Sequence, residues 1–482
     1  MKSTSNYLFR SMRKNKSVKI SSFIYSLKIT LLLLLLLSIS CYSQFKLPNY
    51  EIVQLDNGLT VYLMEKKNVP IVSISVVIEA GAIKDGELNG IASFTAEALK
   101  FGTKNHTKNQ IDSLFNFYGS SLNTYSRADY SGISTQFMKE HLLTLLPVLA
   151  EVIKAPTFAE EEIVKRKQRW IAELDQAKES PRQVIGSYFN KLLFNDSPYG
   201  NPVNGTKKSI EQIDRAKAVD FYQKNFRPEN CAIAVVGDFN SNEMKNQLIN
   251  FFGNWSTTAS KIIYDVRSYQ KELKESVVYL INKENARETT FMIGGFGVPM
   301  SNPDRTQIDV VNTILGGRFT SWLNDELRVN AGYTYGAGSR FASYKTAGTF
   351  FISTFTANKF TEPAIELALK TYNRLFENGI DEKTLSSAKS YIKGQFPPRY
   401  ETSDLLAGFL TQKFIYGLDD SYINGFEKAV DEMTVEKASQ IIKRYFPKDN
   451  LQFVLIGKAD EIRDIAKKYG KVIEKNITED GF

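Results

Sequence analysis

The chain has 482 residues, of which 43% are hydrophobic and 12% aromatic, a composition that can form buried cores and excludes a disordered or fibrous protein. Its formal net charge of +8 would favour an acidic partner such as nucleic acid. Residues 1–43, however, carry seven lysines and arginines and no acidic residue, so the rest of the chain is left with only +1. The charge therefore does not support nucleic-acid binding.

Residues 1–43 have the pattern of a secretory signal peptide. A basic region ends at Lys28 and is followed by the apolar run ITLLLLLLLSI, which is too short for the ~20 residues that cross a bilayer. Cleavage after Ser43 would give an exported protein of the periplasm or cell envelope with no membrane span after processing. Lipidation of Cys41 within SISC, or an uncleaved anchor, are the alternatives.

The first copy of an internal repeat is predicted over residues 48–260. The segment FRPEN and the β-rich run to Gly237 recur 220 positions later as FPKDN and the run to Gly457, and the helical stretches upstream are also about 222 positions apart. This unit is much longer than the 20–50 residues of a solenoid repeat. We therefore expect a duplicated domain, with a linker at 261–276 and a second copy at 277–475. Two similar helix–strand units arising by chance are the alternative.

Strands and helices alternate in blocks along the first copy. Predicted strands cover residues 50–55, 59–66, 71–78, 122–125, 130–137 and 231–236. Asn57 and Gly58 are expected to supply the positive φ angles of a tight hairpin after the first strand. Predicted helices cover 90–100 and 108–118 and most of 139–224. This order predicts an α+β fold made of two homologous layered domains, each an antiparallel-rich sheet covered by helices.

The predicted helix in GIASFTAEALKFGT, residues 90–103, has the frame of a metallopeptidase motif. It resembles the inverted zinc motif G-x-A-H-x-x-E-H-x-x-x-x-G-T of the insulinase/pitrilysin family of zinc peptidases, which includes mitochondrial processing peptidase. The frame matches at Gly90, Ala92, Phe94, Leu99, Gly102 and Thr103. The chemistry does not match. The two zinc-binding histidines fall on Ser93 and Glu97, the catalytic glutamate falls on Ala96, and the third ligand of the family falls on Glu173.

These replacements remove the zinc chemistry that the resemblance would imply. Ser93 is a poor zinc ligand, and Ala96 cannot take a proton from a bound water. Glu97 and Glu173, two carboxylates without an imidazole, would suit Mg²⁺ or Ca²⁺ better than zinc. The chain's two histidines are not in a metal-ligand spacing. We therefore expect no metal and no catalytic residue in this chain, and the two glutamates could simply be solvated cleft carboxylates.

Residues 315–341 carry a second resemblance to the same family. There, a helix that ends in Leu-Arg is followed by Gly-x-x-Tyr, which places the arginine at Arg328 and the tyrosine at Tyr335. In the family this pair reaches toward the substrate backbone near the scissile bond, and both side chains are donors suited to carbonyl oxygens. The sequence departs from the family at Val329 and Tyr333. The alternative is that Arg328 caps a helix and Tyr335 is a strand aromatic.

The resemblance covers residues 50–475 and implies a function. Some members of the family work as two chains, of which one carries zinc and the other contributes the Arg/Tyr pair. We expect this chain to be the second kind: an exported, non-catalytic subunit that positions a peptide or unfolded protein for a zinc-bearing partner of the same family, with zinc only in that partner. A stand-alone metallopeptidase using Glu97 and Glu173, and a non-enzymatic peptide-binding envelope protein, are the alternatives.

Overall fold

The computed structural model describes residues 45–256 and 272–479. The predicted signal peptide at 1–43 and most of the predicted linker at 261–276 therefore lie outside the described residues. The described residues from Leu47 onward belong to one compact unit. None of the helices in these two ranges is long and apolar enough to span a membrane.

Two six-stranded sheets form the framework. The first has the order β1-β2-β6-β3-β5-β4 and consists of β1 (Glu51–Gln54), β2 (Thr60–Glu65), β3 (Ile71–Ile78), β4 (Asn123–Ser126), β5 (Ser131–Met138) and β6 (Cys231–Gly237). The second has the order β12-β7-β11-β8-β10-β9 and consists of β7 (Val277–Asn282), β8 (Glu288–Phe296), β9 (Ala337–Ser343), β10 (Gly348–Ala357), β11 (Gln452–Gly457) and β12 (Lys471–Asn476).

The two sheets repeat one topology with a single exchange at the outer edge. Strands β2, β6, β3, β5 and β4 correspond in order to β7, β11, β8, β10 and β9. The outermost strand differs, because β1 precedes β2 and pairs antiparallel with it, whereas β12 comes from the end of the chain and pairs parallel with β7. Parallel pairing also joins β2 to β6 and β7 to β11, so both sheets are mixed. The predicted α+β fold with two homologous copies is confirmed.

The hairpin between β1 and β2 differs from the prediction in its turn. Gly58 has a φ of +87°, whereas Asn57 is not among the residues with positive φ. The N–H of Gly58 donates to the carbonyl of Leu55 at 2.8 Å, and Leu55 pairs with Leu59. The loop therefore has three residues, with a glycine in the left-handed region, rather than the two-residue turn that needs positive φ at both positions.

Helices cover both sheets. Those of the first half are α1 (Ile91–Ala98), α2 (Lys108–Phe117), α3 (Leu142–Lys154), α4 (Glu160–Lys178), α5 (Pro181–Phe194), α6 (Lys207–Gln212), α7 (Arg215–Asn225) and α8 (Ser241–Phe252). Those of the second half are α9 (Arg305–Asn312), α10 (Trp322–Asn324), α11 (Thr361–Glu377), α12 (Glu382–Gln395), α13 (Ser403–Tyr416), α14 (Ser421–Asn424), α15 (Phe426–Asp431), α16 (Val435–Tyr445) and α17 (Ala459–Ala466). Helices α9 and α10 continue into π-helical turns at Thr313–Gly317 and Asp325–Asn330.

The halves exchange one helix each. Helix α5 of the first half packs on β8 and β11 of the second sheet, and α13 of the second half packs on β3 and β6 of the first. The hydroxyls of Ser75 and Thr411 are 3.1 Å apart across one of these contacts. The buried core beside α5 combines residues of both halves: Ile185, Phe189, Ile281, Met292, Val454 and Ile456. Each sheet is thus completed by a helix from the other half.

Candidate functional site

Helix α1, which carries the frame of the zinc motif, is fixed at its N-terminus by the buried carboxyl group of Asp85. Asp85 accepts hydrogen bonds from the N–H groups of Gly90 at 2.7 Å and Ala92 at 2.9 Å. Gly90 has a φ of +89°, and a Cβ at this position would lie 2.8 Å from the backbone of Gly205. The glycine is therefore required both by the left-handed backbone and by the close approach of the loop before α6.

Two of the four zinc-motif positions offer no donor to a metal. The Ser93 hydroxyl donates to the carbonyl oxygen of Val203 at 2.6 Å and is therefore already committed. Ala96 is buried in the core. In helix α1, Ser93 therefore bonds the loop before α6, and Ala96 packs in the core.

The other two positions, Glu97 and Glu173, are joined by Arg166. Its Nε donates to Glu97 at 2.6 Å, and its two terminal nitrogens donate to the two oxygens of Glu173, both at 2.9 Å. The side chain of Arg166 is 14% exposed, against 27% for Glu97 and 62% for Glu173. Burial lowers the pKa of Arg166, but the bonds to the two carboxylates outweigh it and the pKa is raised. One guanidinium therefore bridges the two carboxylates.

Arg166 is held in place by an aromatic ring. Its guanidinium carbon lies 4.5 Å from the centre of the Trp170 ring, one helical turn along α4. The indole N–H of Trp170 donates to the carbonyl oxygen of Asn204 at 3.0 Å, and its ring packs against Phe94 of α1. The bridge is therefore part of the packing between α1, α4 and the loop before α6.

The residues at this position do not fit a zinc ion. Zinc sites in proteins use nitrogen, sulfur and carboxylate donors in a tetrahedral set, and the two carboxylates present already pair with Arg166. Within residues 45–256 and 272–479, no group of three or more His, Cys, Asp or Glu side chains could hold a metal.

Sequence reasoning missed Arg166, although a signal was available. Arg166 precedes Glu173 by seven residues, which is two helical turns, so both project from one face of α4. Trp170 lies between them on the same face. A cation at this spacing from the position of the third ligand indicates an ion pair rather than a metal site.

Arg328 lies beside an exposed aromatic ring in the second half. It belongs to the π-helical turn Asp325–Asn330, which ends where the N–H of Tyr333 donates to the carbonyl of Leu327 at 2.8 Å around Gly332, whose φ is +67°. The guanidinium carbon of Arg328 is 4.5 Å from the centre of the Phe319 ring, which is itself 69% exposed. An exposed ring therefore supports the guanidinium of Arg328, a half-buried residue.

Tyr335 lies on a neighbouring aromatic support. It is 84% exposed, precedes β9 by two residues, and its ring is 6.4 Å from that of Phe355 in β10. The guanidinium of Arg182, from the start of α5 in the first half, lies 4.3 Å from the centre of the same Phe355 ring. The two halves therefore meet directly at the support of Tyr335.

The six positions predicted from the motifs form two separate groups. Ser93, Ala96 and Glu97 share helix α1, and Glu173 joins them through Arg166. Arg328 and Tyr335 lie seven residues apart in the second half, each beside its own aromatic ring, and are together called the ledge. Among the described residues, no hydrogen bond, ion pair or ring contact links the ledge to the cluster around Arg166.

Two family models match adjoining parts of the chain. The model described as Insulinase (Peptidase family M16) matches residues 60–207, and the model described as Peptidase M16 inactive domain matches residues 212–392. Together they cover well over half of the chain, including α1, α4 and the Arg328 ledge.

Proteins similar to the chain are named as a zinc protease, as a non-peptidase homolog and as a subunit of a respiratory complex. An uncharacterized zinc protease of Rickettsia bellii is 27% identical over 72% of this chain and 82% of its own length. A protein of Helicobacter pylori named non-peptidase homolog YmxG is 25% identical over 67% of this chain and 74% of its own. Subunit 1 of the bovine mitochondrial cytochrome b-c1 complex is 23% identical over 56% of each.

The fold has also been seen in a solved structure. The crystal structure of a peptidase M16 inactive domain from Pseudomonas fluorescens superimposes with a TM-score of 0.79 at 24% identity, over 85% of this chain and 98% of that one. At this identity the likeness establishes the fold.

Proposed function

Because the chain belongs to the insulinase (M16) family of peptidases, with a C-terminal part of the inactive-domain type, we propose that it is the non-catalytic subunit of an exported zinc peptidase. In this role it holds a peptide or unfolded protein while a zinc-bearing partner of the same family supplies the hydrolytic chemistry. Zinc is a cofactor of that partner alone.

One observation carries this proposal: a guanidinium occupies the space between the two carboxylates of the zinc-motif frame. Arg166 donates three hydrogen bonds to Glu97 and Glu173. Removing it would leave two carboxylates facing each other, a cost that an ion pair avoids. The arrangement supports a chain that has kept the fold of the peptidase and has replaced its metal centre by an internal ion pair.

The Arg328 ledge supports a role in holding substrate. Guanidinium and phenol groups are both donors to carbonyl oxygens, and donors aimed at the reacting carbonyl of a partner's substrate lower the barrier to hydrolysis. Tyr335 is exposed and Arg328 is half-buried, and each lies beside an aromatic ring. Donors that solvent can reach at least in part are suited to a substrate shared between two chains.

The names of the relatives support a partner. One is named a zinc protease, another a non-peptidase homolog, and a third is a subunit of a respiratory complex. Family members are thus known by name both as proteases and as subunits of larger assemblies. For this chain we propose a heterodimer, exported by the leader at residues 1–43 to the periplasm or cell envelope.

The test is reconstitution with a zinc-bearing M16 chain encoded in the same genome. Hydrolysis of a quenched-fluorescent peptide is measured for each chain alone and for the purified pair. We expect Arg328→Ala to reduce kcat/KM of the pair by roughly 10²-fold, the size seen for loss of one oxyanion donor, while the two chains still co-elute.

The matched control is Arg340→Ala, which removes an exposed arginine from strand β9 and should leave kcat/KM within twofold. Undiminished hydrolysis by the Arg328→Ala pair would contradict the role of the ledge. Chelator-sensitive hydrolysis by this chain alone would instead make it a peptidase in its own right.

A further inference from the structure

The exchanged helices leave two equivalent cavities, one beside each sheet. Helices α5 and α13 both have 14 residues, begin 222 positions apart, and have glycine as the sixth residue, Gly186 and Gly408. At both glycines an added Cβ would have no neighbouring atom within 4 Å outside its own helix. The cavity at Gly186 has a volume of about 330 Å³ and the cavity at Gly408 about 590 Å³.

The two cavities differ in the chemistry of the sheet that lines them. At Gly408 the first sheet presents hydroxyl and amide groups, from Ser73, Ser75, Ser134 and Gln136. At Gly186 the second sheet presents Met292, Phe351 and one hydroxyl, that of Thr349, and Tyr344 directly follows β9. Tyr344 and Phe351 are only partly buried. Apolar surface of this kind gains free energy when a ligand covers it, at roughly 25 cal/mol per Å². The duplication thus gave one polar cavity and one apolar cavity.

The charges at the two cavities are also opposite. Among the residues that the structure describes, the lining at Gly186 includes Lys178 and Lys207 and no Asp or Glu. The described lining at Gly408 includes Asp404 and no Lys or Arg. Lys178 donates to the carbonyl of Thr478 at 3.2 Å and is therefore engaged within the chain. Lys207 is 3.5 Å from Asp175 at a half-exposed site where such a pair is weak, so Lys207 can pair with a ligand at the rim of the apolar cavity.

We infer that the cavity at Gly186 binds an apolar monocarboxylate. The hydrocarbon or aromatic body lies against Met292 and Phe351, and the carboxylate faces Lys207. Two sources have this chemistry: a fatty acid, and the C-terminus of a peptide that ends in an apolar residue. The inference rests on the cavity alone and is independent of the proposed subunit role.

The first experiment measures binding of dodecanoate to the mature chain by calorimetry. We expect one site, at least a tenfold loss of affinity in Gly186→Leu, and a change of less than twofold in Gly408→Leu. Both variants replace a helix glycine by a better helix former, so both should remain folded, and thermal unfolding checks this. Equal binding by Gly186→Leu and the original chain would overturn the assignment of the site.

The second experiment tests the charged end. Dodecanol and dodecylammonium share the body of dodecanoate, and we expect each to bind at least tenfold more weakly. Lys207→Glu, at an exposed position, should weaken the binding of dodecanoate alone, and thermal unfolding checks that this variant is folded. Equal binding of the three compounds would overturn the carboxylate assignment.

A third measurement identifies the source of the carboxylate. A tetrapeptide ending in phenylalanine is compared as the free acid and as the amide. Tighter binding of the free acid than of dodecanoate assigns the cavity to peptide termini, and the reverse assigns it to fatty acids. Failure of both to bind at millimolar concentration would overturn the proposal.

Discussion

Asp85 shows how one buried side chain can make the stability of the chain depend on pH. Burial raises its pKa to about 8, although the bonds from the N–H groups of Ala92 and Gly90 favour the ionised form. A carboxyl whose pKa is raised on folding stabilises the protein fully below its unfolded pKa of ~3.9 and loses that contribution as the pH rises through the folded value. Between pH 4 and 8 the slope can reach about 1.4 kcal/mol per pH unit.

We therefore expect Asp85→Asn to flatten the dependence of the free energy of unfolding on pH. The original chain should lose stability relative to the variant as the pH rises from 5 to 8. Urea unfolding at four pH values measures this. Glu243→Gln, at an exposed position in the first turn of α8, is the control and should leave the slope unchanged. Parallel curves for Asp85→Asn and the original chain would show that Asp85 does not titrate in this range.

Removal of Arg166 should allow Glu97 and Glu173 to bind a cation. Arg166→Ala leaves Glu97 and Glu173 without a counter-charge, so we expect a loss of about 1–3 kcal/mol in the free energy of unfolding. Two unpaired carboxylates favour a hard cation. Calcium chloride should then raise the melting temperature of the variant and not that of the original chain. Arg166→Lys, which keeps the positive charge, is the control and should show no calcium effect.

A melting temperature that calcium leaves unchanged in Arg166→Ala would mean that the two carboxylates do not approach each other without the guanidinium.

Arg166 also shows what the motif comparison left out at the residue scale. The motif frames located Ser93, Ala96, Glu97 and Glu173 by their spacing alone. Arg166, the partner of the two glutamates, lies outside those frames, so the resemblance did not indicate it, although its spacing from Glu173 along α4 did.

At the scale of elements, hydrophobic periodicity predicted most of the first half. The strand predicted over 71–78 coincides with β3, and the strand predicted over 231–236 ends one residue short of β6. Periodicity could not predict the π-helical turn at Asp325–Asn330, since the same residues fit an α-helix. It also could not predict the exchange of α5 and α13. An amphipathic pattern shows which face of a helix is buried, but it does not indicate which sheet that face packs against.

At the scale of the whole molecule, the exchange makes each half depend on the other. Without α13 the first sheet has an uncovered face at β3 and β6, and Asp129 also loses the N–H of Lys345, which donates to it at 3.1 Å. We expect residues 45–256 expressed alone to show no cooperative unfolding transition, whereas a chain of residues 45–482 should unfold in one. Circular dichroism during a urea titration distinguishes these outcomes. A sharp transition in the isolated half would show that α13 is dispensable for that fold.

The same exchange determines when the first sheet can be completed during synthesis. Ser75 and Thr411, which meet across β3 and α13, are 336 positions apart. At the ordinary pace of about 5–20 residues per second, a ribosome needs roughly 20 to 70 s to make the chain between them. For that interval one face of the first sheet lacks α13, and the apolar side chains of β3 and β6 on that face are accessible to chaperones and to other unfolded chains. The first sheet can therefore be completed only near the end of synthesis, when the residues of α13 have been made.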